Sequence, residues 1–257
     1  MRNPEELRAM FEDHLGDLRI SPALGGLEEA VRYALEGGGK RIRPVLCLAT
    51  TEAAGGPVED TLDAAAAIEL IHSFSLVHDD LPALDDDDER RGRPSVHVRF
   101  GEAQAILAGD ALLNEAFALA LRYPTPEVGR EVALATSEMI GGQSIDVNGG
   151  LKDHIELNRL KTGRLFEASV GCALWVAEVP VDEQAPWRAF GADFGFLFQA
   201  VDDLLDGDGL VRERGRDEAF ELATETEERA RSRLDAIDAD TSVLAGLLTE
   251  LGARKEN

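Results

Sequence analysis

Apolar side chains recur at intervals of three and four residues along most of this chain, a period that calls for helices and argues against any β fold. Over residues 59–81, Leu62, Ala65, Ala66, Ile68, Ile71, Phe74 and Leu81 fall near helical spacing, with alanine filling positions between them. Similar Ala/Leu-rich stretches cover residues 102–121, 127–140, 153–177 and 182–205. A more charged one covers 218–237, and a short one closes the chain. Breakers separate them: Gly37-Gly38-Gly39, Gly55-Gly56-Pro57, Gly92-Arg93-Pro94, Pro124-Thr125-Pro126, Asn148-Gly149-Gly150 and Gly207-Asp208-Gly209. No alternating strand, repeat or linker-like tract is recognisable. The expectation is all-α, one domain spanning residues 1–257, folded as a bundle of about ten helices.

The formal net charge of -24 narrows the function. A uniformly acidic surface repels nucleic acid and anionic membranes, so neither is an expected partner. No run reaches the roughly 18 to 20 apolar residues of a membrane span, and the start, Met1-Arg2-Asn3-Pro4-Glu5-Glu6, lacks the pattern of a signal peptide. A cytoplasmic protein is expected. Cys47 and Cys172 sit inside apolar helical patterns without metal-ligand spacing and read as buried reduced thiols.

Much of the negative charge is concentrated in two places. The first is His78-Asp79-Asp80-Leu81-Pro82-Ala83-Leu84-Asp85-Asp86-Asp87-Asp88-Glu89. Adjacent carboxylates repel one another, and Asp79 and Asp80 also fall at the C-terminal end of an apolar helix, where the dipole disfavours them further. A bound cation would offset that cost. On a straight helix Asp85 would turn about 120° away from Asp79, but a break at Pro82 could return it to share a cation. Taken alone, the segment reads equally well as a solvated acidic turn. The second cluster, Gln199, Asp202, Asp203 and Asp206, closes another apolar helix, with Gln199, Asp202 and Asp206 on one face. Hard carboxylates without His or Cys nearby suit Mg²⁺, which takes a few carboxylates, waters and phosphate oxygens. Two such faces could hold several Mg²⁺ ions with a diphosphate between them.

Basic residues gather in two places. Gly37-Gly38-Gly39-Lys40-Arg41-Ile42-Arg43-Pro44 places three cations on a turn that opens a helix, either an anion cradle or a solvated helix boundary. Arg90, Arg91 and Arg93 follow the first acidic run, where they balance its charge or stabilise a departing anion. His72 lies seven residues before Asp79 on the same helical face, which favours a substrate role over core packing.

These segments resemble those of the trans-isoprenyl diphosphate synthases, the polyprenyl synthetase family, over residues 38–206. The matching motifs are Gly-Gly-Lys-Arg-Ile-Arg-Pro at 38–44, His72-Ser73-Phe74-Ser75-Leu76-Val77-His78-Asp79-Asp80, and the acidic run ending Arg90-Arg91-Gly92-Arg93-Pro94. Phe100-Gly101-Glu102-Ala103, Leu107-Ala108-Gly109-Asp110-Ala111-Leu112, Gly141-Gly142-Gln143, Lys161-Thr162-Gly163 and the 199–206 segment follow in family order. The resemblance implies an all-helical homodimer whose acidic segments face each other across a deep central cavity. It assigns Asp79, Asp80, Asp85, Asp202, Asp203 and Asp206 to Mg²⁺, about three ions once diphosphate is bound. It assigns Arg90, Lys161, Thr162 and Gln199 to the diphosphate or reacting end of an allylic substrate of five to fifteen carbons. Lys40, Arg43, His72 and Arg91 would hold isopentenyl diphosphate. The implied reaction is head-to-tail condensation: the allylic diphosphate departs, the isopentenyl double bond attacks the cation, and a proton is lost.

Phe74, five residues before Asp79, corresponds to an aromatic that closes the product tunnel in this family, and the spacer between Asp80 and Asp85 resembles bacterial farnesyl diphosphate synthases. A C15 product is expected, with C20 second. Ordinary core packing is the other reading of Phe74. Two departures stand out. The Gly-Lys loop that follows the second acidic segment in this family is missing, leaving Arg212, Arg214 or Arg216 as substitutes in a shortened region after 206. The family's histidine before the Lys-Thr pair is also missing, with Asn158 nearby. A class I terpene cyclase would lack the Lys40–Arg43 and His72 features and carry an Asn/Ser/Glu metal motif; a non-catalytic synthase subunit would have lost acidic residues. Both are weaker readings.

Overall fold

The first helix shows how local chemistry starts these elements. The Asn3 side chain accepts from the Glu6 N–H while the Glu6 carboxylate accepts from the Asn3 N–H, a capping box that opens α1 (Pro4–Asp17). The computed structural model describes residues 1–149 and 154–256. After α1 come α2 (Glu28–Leu35), α3 (Ile42–Ala53), α4 (Leu62–Asp79), α5 (Val96–Phe100), α6 (Glu102–Ala120), α7 (Glu127–Val147) and α8 (His154–Asn158). A single π-helical turn (Arg159–Gly163) leads into α9 (Arg164–Val176), followed by α10 (Ala185–Asp206), α11 (Leu210–Arg214), α12 (Arg216–Asp235) and α13 (Ser242–Ala253). The architecture is all-α, as the periodicity requires. Among the described residues no helix is long and apolar enough to cross a membrane.

The axis of the bundle is α4. Ala64, Ala65, Ala66, Ala67, Ile68, Leu70 and Ile71 all lose solvent contact, so this helix is apolar all round rather than along one stripe. It packs against α3, α6 and α9, while α10 packs on α9 and α12. The small alanine faces allow these backbones to approach closely. Cys47 and Cys172 are free and buried, and burial pushes the Cys47 thiol up to about 12.

Three details depart from the periodicity reading. The helix expected over 127–140 continues to Val147, through Gly141-Gly142. A Cβ at Gly142 would stand 3.0 Å from Leu160 Cβ and Lys161 Cγ, so this glycine admits the neighbouring turn rather than breaking its own helix. The stretch expected as one helix over 153–177 is divided by the π turn; Asp153 and the Gly150 of the preceding breaker lie outside the described residues. A short antiparallel hairpin, β1 (Glu89–Arg90) with β2 (Arg93–Pro94), stands where no strand was expected. Two residues per strand are too few to show alternation. Its corner residues, Arg91 (φ 56°) and Gly92 (φ 75°), both have positive φ, the requirement of a tight hairpin turn.

Candidate active site

The end of α4 folds back on itself. The Asp85 N–H donates to the Asp79 carbonyl at 2.9 Å and the Asp87 N–H to the Asp80 carbonyl at 3.2 Å, so the break at Pro82 brings Asp85 beside Asp79. Burial is the main cause that raises the Asp79 carboxyl from its usual range to about 6; Lys161 and Arg90 oppose the rise, and Asp85 and Asp80 add to it. Asp79 and Asp85 have no side-chain cation partner within hydrogen-bonding distance among the described residues. Asp80 differs: it is 3 % exposed and paired with Arg90, whose Nε donates to it at 2.9 Å. Arg90 also reaches Asp87 at 3.1 Å. Asp80 thus fixes the hairpin arginine beside the acidic loop.

The second segment divides the same way. Asp203 is 6 % exposed and saturated with donors: Gln199 Nε2 at 2.8 Å, the Leu210 N–H at 3.0 Å and Asn158 Nδ2 at 3.2 Å. It ties α10 to α11 and to the end of α8, and Gly209 packs so tightly on its carboxylate that a Cβ would collide. Asp202 is partly buried, which raises its carboxyl, against the pull of Arg254 and Lys40. Asp206 is exposed at the helix end. Among the described residues no three His, Cys, Asp or Glu side chains close into a cage for a metal ion. Cations held here need oxygens from elsewhere, as Mg²⁺ commonly takes from substrate phosphates.

Cations converge between the two segments. Arg43 is half-buried, with its guanidinium 4.3 Å from the Phe166 ring centroid and its buried Nε without a hydrogen-bond partner among the described residues. Burial lowers its pKa to about 10, although Glu69 and Asp202 pull the other way and Arg91 adds to the fall. His72 is held well below the usual imidazole range by burial first, then by Arg43, Arg91, Arg41 and Arg90. Arg91 donates to the Gly38 carbonyl, and a Cβ at Gly39 would stand 2.8 Å from its Nη1, so Gly39 admits that guanidinium. A desolvated, under-satisfied cation group beside a neutral histidine is a prepared anion site. Lys40 is exposed at its edge.

Lys161 lies on the π turn and pairs with Asp146 of α7 at 2.5 Å, close enough to lower the Asp79 carboxyl. Thr162 is half-buried on the same turn. Lys161 lines a cavity of about 430 Å³ together with Phe74, Ser75, His78, Asp79, Leu84, Met139, Ile140, Gln143, Ser144, Val147 and Asn148. Its walls are largely apolar, with Asp79 and Lys161 as its charged members. Phe74 is 7 % exposed and meets the His78 ring edge-on at 5.0 Å.

Residues 25–218 match the family model of the polyprenyl synthetases. The chain belongs to that family. A geranylgeranyl diphosphate synthase of Cyanophora paradoxa is 39% identical over 77% of this chain and 71% of its own length. A farnesyl diphosphate synthase of Micrococcus luteus is 37% identical over 90% and 83% respectively. In three dimensions this polyprenyl synthetase resembles a geranyltransferase from Legionella pneumophila, with a TM-score of 0.90, 31% identity, and coverage of 99% of this chain and 97% of that one. A geranyltranstransferase of Thermotoga maritima gives 0.87 at 30% identity, covering 98% of each chain.

Three contributors to the synthetase's site were not singled out from sequence. Arg41, in line with Lys40 and Arg43, turns inward and bonds Glu69, Glu12 and the Leu35 carbonyl. His78 rests on α6 at Gly109, where a Cβ would overlap its ring, and meets the Ile106 carbonyl at 3.1 Å. Arg254 reaches Asp202 from the C-terminal end.

Proposed function

We propose that this polyprenyl synthetase condenses isopentenyl diphosphate with an allylic diphosphate of five to fifteen carbons, head to tail, and that its main product is farnesyl diphosphate. The observation that carries the reading is the convergence of Asp85 and Lys161 on Asp79, where Asp79 and Lys161 line an apolar cavity and neither carboxylate has a cation partner within hydrogen-bonding distance among the described residues. Asp79, Asp85, Asp202 and Asp206 would hold Mg²⁺, whose chemistry there is neutralisation of the leaving diphosphate. Asp80 and Asp203 support that set as braces, through Arg90 and through Gln199 and Asn158. Arg90, Lys161 and Thr162 face the allylic diphosphate, while Lys40, Arg43, His72 and Arg91 receive isopentenyl diphosphate. As the allylic C–O bond breaks, the electron pair leaves with the diphosphate. A C–C bond then forms from the isopentenyl double bond, and the released diphosphate accepts the lost proton. Apolar walls keep water from the cation in the meantime.

Val98, Ile106, Leu107, Leu134, Ile140 and Val147 leave apolar surface exposed on α5, α6 and α7, which supports association with a second copy. The catalytic reading is tested by incubating the purified protein with Mg²⁺, isopentenyl diphosphate and C5, C10 or C15 primers. Elongation ending at C15 is expected, and no elongation with any primer would sink it. Phe74→Ala opens the cavity by most of a benzyl group, so the main product should move from C15 to C20 or longer. An unchanged length by chromatography would leave Phe74 as core packing alone.

A further inference from the structure

Three arginines follow the second acidic segment in sequence, and each is engaged elsewhere. Arg212 pairs with Asp208 at 3.0 Å, Arg214 with Glu218 at 3.1 Å, and Arg216 donates to the Leu204 carbonyl at 2.7 Å. The guanidinium that does reach the segment comes from the far end of the chain. Arg254 opens the 3-10 turn after α13, and its Nη2 donates to Asp202 Oδ1 at 3.1 Å. Its other terminal nitrogen, Nη1, is buried and has no hydrogen-bond partner among the described residues. Arg254 is not on a loose end: Leu244, Leu248 and Leu251 bury α13 against the bundle, Gly252 packs on Glu227, and Lys255 Nζ meets Glu227 at 2.8 Å.

A guanidinium with one arm on a carboxylate and a second, desolvated arm unused is poised for another anion. Its planar fork can span a carboxylate and an adjacent phosphate oxygen, which a terminal ammonium does less well. We propose that Arg254 is a diphosphate-binding residue of this enzyme. It neutralises Asp202 while the site is empty of substrate and donates Nη1 to the allylic diphosphate when that group settles against the segment 202–206. Asp202 keeps its second oxygen for a cation. The proposal rests on the reading of 202–206 as a diphosphate-holding segment. It also explains how the segment retains a cation although the turn after it is short.

The test is calorimetric binding of inorganic diphosphate with MgCl₂ to wild type, Arg254→Gln and Arg254→Lys, together with KM for each substrate. Loss of one charged hydrogen bond predicts diphosphate binding weaker by about ten- to a hundredfold in Arg254→Gln, with part of the loss restored in Arg254→Lys. KM for the allylic substrate should rise by a comparable factor while KM for isopentenyl diphosphate moves less than about twofold. Equal diphosphate binding in wild type and Arg254→Gln overturns the proposal, as does a rise in KM confined to isopentenyl diphosphate. Wild-type protein that binds no diphosphate at all would instead sink the functional reading beneath it. Should Arg254→Gln fail to fold, the lysine variant decides alone: diphosphate binding unchanged from wild type overturns the fork geometry proposed.

Discussion

Asp79→Asn is expected to stop chain elongation while making the metal-free protein more stable at neutral pH. The loss of activity follows from charge. A neutral amide at the mouth of the cavity cannot help hold a cation against the departing diphosphate, and loss of such a contact lowers kcat/KM by about 10³-fold, roughly 4 kcal/mol of barrier. The gain in stability follows from burial. Desolvation, with Asp85 and Asp80 nearby, raises this carboxyl from 3.8 to about 6 despite Lys161 and Arg90. The folded chain therefore binds the proton more tightly than the unfolded chain does. That contribution to stability is complete below about pH 3.8 and is lost as pH rises through about 6. At pH 7.5 the ionised wild-type side chain burdens the fold and asparagine does not. Discounted for partial contact with water, the difference is on the order of 1 kcal/mol, a rise in melting temperature of about 2–4 °C. Thermal denaturation in chelator at pH 7.5 and again below pH 4 should show the gap at the first and none at the second. A variant that melts lower than wild type at pH 7.5 would contradict the burial argument.

The same residue shows what sequence could and could not convey. A period of three and four identifies helices wherever a whole face is buried, so α4 and α10 and the acidic residues at their ends were legible. Pro82 in a run of carboxylates allows the return of Asp85 to Asp79 without requiring it. The different duties of neighbouring aspartates were not legible, because Asp79 and Asp80 are chemically identical until Arg90 selects one of them. Asp203 is separated from Asp202 in the same manner, by donors from Asn158 and from the Leu210 backbone that only the tertiary fold supplies. Arg254 lies 52 residues beyond Asp202, and no periodicity links the two. The hairpin at 89–94 is too brief for any pattern. Arg41 was within reach, however. Glu69 is the one charged residue among Ala64–Ile71 of a helix otherwise buried by apolar side chains, and a buried carboxylate requires a buried cation.

That pairing leads to the largest expected loss of stability. Arg41→Ala should cost about 3–5 kcal/mol, a fall in melting temperature on the order of 10 °C for a chain of this size. Arg41 occupies the left-handed region (φ 49°) at the start of α3, and its Nη1 donates to Glu69 at 2.5 Å, Nε to Glu12 at 2.9 Å and Nη2 to the Leu35 carbonyl at 2.7 Å. Burial alone would lower its pKa, but Glu69 and Glu12 outweigh burial and leave it raised. Glu69 is 3 % exposed, so alanine at 41 strands its charge inside the bundle. Removing both charges should be far milder: Arg41→Met with Glu69→Leu leaves no buried ion, and such replacements are often neutral in stability. Denaturant melts of the two single variants and the double variant separate the effects, and a double variant no more stable than Arg41→Ala would refute the stranded-charge account. The turn also carries Lys40 and Arg43 on either side of Arg41, anchored inward by these three hydrogen bonds. The double variant should therefore recover its melting temperature while KM for isopentenyl diphosphate stays raised by about tenfold, because a Met side chain restores packing but not the directional bonds that orient the turn.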